Sequence, residues 1–95
     1  MGLFSSKNSL NLNELEKAYV SMVYKSAIQD GIPGTEKISV KVEKGKKLTD
    51  EELIFTIKLI EAFNRGMTSH IESGRVDKEY EKLVQIGENV LDKIK

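Results

Sequence analysis

The stretch LTDEELIFTIKLIEAFNRGMTSHIESG, residues 48–74, constrains the fold more than any other part of the chain. Thr49 with Glu52 three residues on is a capping box, and Asp50 and Glu51 suit the positive end of a helix dipole. Leu53, Ile57, Ile60, Phe63, Met67 and Ile71 then recur at helical spacing, and Gly74 supplies the stop. A second run follows at once. Val76, Tyr80, Leu83, Gly87, Val90 and Ile94 are spaced 4, 3, 4, 3, 4, as in a seam between helices that cross at a shallow angle. Val84 and Leu91 widen it, and Asp77 is the expected cap. SGRVD is too short to allow anything but an antiparallel hairpin. Counting outward from Arg75 sets Phe63 opposite Gly87, a ring over a missing side chain.

The N-terminal half reads as one more helix. Asn11 and Asn13 are both candidate caps, and Asn11 has Glu14 three residues on. Leu12, Leu15, Tyr19, Met22 or Val23, and Ala27 keep the apolar rhythm. Gly31 and Pro33 in QDGIPG mark its end. AYVSMVY, residues 18–24, is rich enough in β-branched and aromatic residues to admit a strand, but the helix signals at both ends favour a helix. Residues 37–43 differ. Ile38, Val40 and Val42 alternate with Ser39, Lys41 and Glu43, the period of a half-buried strand. The fold class expected is therefore mainly α: three helices at about 12–30, 50–73 and 77–94, a C-terminal antiparallel hairpin, and one short β segment at about 37–43. Residues 1–10 read as an N-terminal arm and 11–95 as one small domain.

A single strand needs a partner: the N-terminal arm, which has weak β character, residues 18–24 if they are not helical, or the same strand of a second chain, which is favoured. The expectation that follows is a homodimer joined strand to strand, with Ile38, Val40 and Val42 as its interface.

Composition works by exclusion. Fifteen basic residues balance fifteen acidic ones in 95, so no global charge draws the chain to nucleic acid or membrane. Only Arg65 and Arg75 are arginines, which disfavours bidentate reading of bases. There is no cysteine, hence no thiolate nucleophile and no cysteine metal site. No apolar run approaches a membrane span of ~20 residues, and a cytoplasmic protein is the expectation. His70, the one histidine, has no carboxylate three or four residues away, so no metal is expected. Asp50, Glu51 and Glu52 are accounted for by capping. Glu79, Glu81 and Glu88 among Lys78 and Lys82 read as a solvated face. No nucleophile elbow or phosphate loop is present, GIPGTEK lacking the required spacing. No enzyme activity and no cofactor are expected.

Two features remain. Lys37, Lys41, Lys44, Lys46 and Lys47 form the strongest local excess of charge. They read as a binding patch for phosphate or an acidic surface, or as lysines guarding a strand edge. MGLFSSK matches the N-myristoylation pattern at Gly2 and Ser6, which would give a lipid-anchored protein, though Lys7 alone is a poor second membrane signal. The functional expectation is a small non-enzymatic protein-interaction module, self-associating, that acts as an adaptor or inhibitor. The alternative is a weak nucleic-acid binder through residues 37–47.

Overall fold

A computed structural model describes residues 12–74, 77 and 79–95. The described residues form four helices and no strand: α1 (Glu14–Gln29), α2 (Thr35–Glu43), α3 (Asp50–Glu72) and α4 (Tyr80–Ile94). The expected arm and its Gly2 motif lie outside the described residues, as do Asn11, Arg75, Val76 and Lys78.

α1 starts at a capping box made by Asn13 rather than Asn11. The Asn13 side chain accepts from the Glu16 amide at 2.8 Å, and Glu16 accepts from the Asn13 amide at 3.0 Å. α3 starts at the box expected of it, with Thr49 and Glu52 exchanging bonds of 2.9 and 3.1 Å. It runs unbroken through Gly66. α4 begins at Tyr80, three residues later than expected. Asp77 is not its cap, and the Asp77 carbonyl only accepts from the Tyr80 amide at 3.0 Å.

The largest correction concerns residues 37–43. They lie inside α2, and no strand exists there. Gly34 enters the helix at φ 86°, a conformation glycine adopts without steric cost. The Thr35 hydroxyl donates back to the Ile32 carbonyl at 3.0 Å. Ile38 is buried in the core, Val42 packs against it, and Val40 is left 41% exposed. A helix bonds its own backbone, so this segment presents no ladder edge to a second chain. The strand-paired dimer loses its basis, because Ile38 is committed to the core of its own chain. Residues 18–24 are helical throughout.

α3 and α4 are antiparallel, as the pairing of Asn64 with Val84 and of Glu61 with Lys95 requires. α1 packs on both, and α2 packs on α1. Tyr19 meets Asn64 and Tyr24 meets Thr56, so α1 runs antiparallel to α3. The core joins Val20, Val23 and Tyr24 to Ile38, Leu48, Leu53, Ile60, Val90 and Ile94. Within it Thr56 donates to the Glu52 carbonyl at 3.0 Å, which leaves Tyr24 to donate to Thr56 at 2.7 Å. Burial pushes the Tyr24 hydroxyl up to about 12, so it stays a protonated donor.

Both capping-box glutamates also hold a lysine from another helix. Lys93 of α4 reaches Glu16 at 2.7 Å, and Lys41 of α2 reaches Glu52 at 2.8 Å. The lysine bond first, and the cap amide second, hold each carboxyl below its ordinary value of 4.5. A depressed folded value adds stability above the unfolded value and loses it as pH falls through the folded one. The melting temperature is therefore expected to fall as pH drops below about 4.5. Glu16→Gln should flatten that profile, read by circular dichroism at each pH.

Candidate protein-binding surface

Packing is uneven along the hairpin. The buried residues of α3 are Leu53, Thr56, Ile60 and Asn64, and none follows. Those of α4 are Gly87, Val90 and Ile94, and none precedes. α1 therefore closes only the half of the hairpin near the termini of the bundle. Beyond that level the apolar rhythm continues, and no third helix among the described residues lies buried against it. Met67 and Ile71 of α3 and Leu83 and Val84 of α4 stay partly exposed, and Tyr80 is 38% exposed. The expected seam is real, but its outer half is half-covered.

The inner limit of this surface is a polar node. The Tyr19 hydroxyl donates to Asn64 Oδ1, and Asn64 Nδ2 donates to the Val84 carbonyl at 3.3 Å. Gly87 lies against both side chains. Burial raises the Tyr19 hydroxyl well above its ordinary value, so it remains a donor. Phe63 does not cover Gly87. It meets the Tyr19 ring edge to face at 5.9 Å and is only partly buried. Residue counting along the link gave the correct level on α3 but the wrong side of the helix.

On its flank the hairpin carries a shallow groove of about 500 Å³, with Val84 and Leu91 on one wall and Glu61, Asn64, Arg65 and Thr68 on the other. Its charges are mixed and Glu61 is paired with Lys95 at 2.8 Å. A second groove of about 540 Å³ lies between α1 and α2, lined by Leu12, Ser21, Tyr24, Ser39 and Val42 among others. Among the described residues no three His, Asp or Glu side chains gather to hold a metal ion, and His70 is exposed near the end of α3. No helix among them is long and apolar enough to cross a membrane.

Four of the five lysines singled out in the sequence are exposed and one is paired. Lys41 is taken up by Glu52. Lys37 is exposed on α2, and Lys44, Lys46 and Lys47 are exposed in the loop before α3. That loop and the hairpin end sit at opposite ends of α3, whose 23 residues span about 34 Å. The sequence does not mark the open hairpin end because its apolar seam looks continuous. Only the point at which α1 crosses divides covered from uncovered.

Compared with known proteins, the chain matches no family model, no curated protein and no solved structure.

Proposed function

We propose that the chain is a non-catalytic protein-interaction module that self-associates and acts as an adaptor or inhibitor through the open end of the α3–α4 hairpin. One observation carries this reading: Met67, Ile71, Tyr80, Leu83 and Val84 extend the seam past the last buried residues of both helices. Apolar side chains arranged as a helix-packing seam suit another helix better than they suit water. A second copy can supply that helix, since an isologous contact needs only one such surface. The proposed dimer thus uses the hairpin and leaves Ile38 and Val42 in place.

Sedimentation velocity from low to high micromolar concentration tests the reading. The wild type is expected to shift toward dimer as concentration rises. Leu83→Glu, on the half-exposed seam, is expected to remain monomeric while keeping the helical circular dichroism spectrum. A wild type that sediments as a monomer throughout would sink self-association.

The second reading, weak nucleic-acid binding, draws on the exposure of Lys44, Lys46 and Lys47. It requires affinity that falls steeply with salt, with a logarithmic slope of about −0.9 per phosphate neutralised on duplex DNA. Changing all three to Glu is expected to leave the fold intact, since the loop buries none of them. Mixed nucleic acid that binds the wild type and the triple variant equally would retire this reading.

A further inference from the structure

Three polar contacts cross the α1–hairpin interface, Tyr19–Asn64, Tyr24–Thr56 and Glu16–Lys93, and the rest of it is apolar and permissive about alignment. On α1, Leu15, Tyr19, Val23 and Ala27 form one row with a spacing of four. Sliding α1 by a turn would bring Leu15 or Val23 to the place of Tyr19, still apolar and of workable size. On α4, Leu83, Gly87 and Leu91 form a similar row. Hydrophobic burial is non-directional and distinguishes such alignments poorly.

Asn64 does distinguish them. It is 8% exposed, so its amide must be satisfied from within. Only Tyr19 in that α1 row carries a hydroxyl, and it donates to Asn64 Oδ1. Any one-turn slide of α1 would part the Tyr19 hydroxyl from Asn64 and leave Asn64 Oδ1 without this donor. Only Gly87 in the α4 row lacks a side chain. A Cβ there would stand 2.5 Å from Asn64 Nδ2 and Oδ1, so Leu83 or Leu91 brought to that level would be driven into Asn64. Each neighbouring helix thus offers one residue that fits, and both fit at the same point.

We propose that Tyr19, Asn64 and Gly87 form a register lock. Together with the Tyr24–Thr56 bond it selects one alignment of α1 on α3, and through Gly87 one alignment of α4 on α3, and so fixes where the covered half of the seam ends. The chemistry is negative: competing alignments are disfavoured by unpaired buried polar groups and by overlap, while the chosen one gains little over a purely apolar contact.

Tyr19→Phe with Asn64→Leu, made in a Tyr24→Phe background so that the Tyr24–Thr56 bond cannot hold the alignment, removes both polar partners and roughly keeps volume. Helical content and cooperative melting are expected to persist. Amide NMR spectra are expected to show more than one set of peaks, or broadening, for residues of α1 and for residues near 64 and 87. One sharp set of peaks, with wild-type contacts between residue 19 and residues 64 and 87, overturns the lock and leaves the node as ordinary packing. Should this variant fail to fold, Tyr19→Phe alone in the same background gives the same readout, because it loses only an oxygen. A lowered melting temperature with a single set of peaks in that variant also overturns the proposal. Additional peaks support it.

Discussion

Gly87→Ala is expected to destabilise the fold by about 2–3 kcal/mol, although alanine is the better helix former by about 1 kcal/mol. The added methyl has no free space. It would meet Asn64 at 2.5 Å and the Tyr19 hydroxyl besides, and both atoms are fixed by the hydrogen bond between them. Something must yield. Overpacking of this kind costs about 1–3 kcal/mol, and a separated buried polar pair costs about as much again. The sum outweighs the helix gain. For a domain of this size the midpoint should fall by roughly 10–20 °C. Gly66→Ala is the internal control. Gly66 sits in α3 with nothing within 4 Å of where its Cβ would stand. The same exchange there should stabilise by up to about 1 kcal/mol. Denaturant unfolding of both variants gives the comparison. Two variants that both gain stability would show that Gly87 has room and that Asn64 is not held against it.

The contrast between these two glycines shows how far the sequence could be read. Spacing puts Gly87 in the α4 seam and leaves Gly66 off the α3 row, but it does not show which side chain packs against Gly87. Helix identity was legible because caps and breakers act locally: Thr49, Glu52, Gly31 and Gly74 need only their neighbours. Hairpin formation was legible because the link is short. Rotation of one helix against the next was not. Phe63 and Asn64 are adjacent in sequence, and which of them faces Gly87 depends on how α1 wedges Tyr19 between them. The choice of Asn13 over Asn11 as cap is similar. Both asparagines have a glutamate three residues on, but only Glu16 also meets Lys93, 77 positions away. The missed clue was chemical. Tyr19 and Asn64 occupy inward positions of their helices, and inward polar groups need partners.

Residues 37–43 failed for a different reason, and they give the second large effect. Ile38→Ala is expected to cost about 2–4 kcal/mol, while Val40→Ala should be neutral or gain a few tenths. An alternating run places Ile38, Val40 and Val42 on one face of a strand, where the first two would be equivalent. The same run contains a helical pair, since residues 38 and 42 are four apart, and Thr35 extends the row by three. Periodicity alone was therefore compatible with both forms. The partner decides. A strand here would need a second strand, and the described residues hold none. A helix bonds itself, and Gly34 gives it a start. In the helix, Thr35 and Ile38 are buried, Val42 packs against the core, and Val40 points the other way. Truncating Ile38 leaves a cavity beneath α2, whereas truncating Val40 removes a β-branched side chain from an exposed helical site. Equal losses at both positions, measured by denaturant unfolding, would restore the strand. A loss confined to Ile38 would place α2 on α1 as a helix.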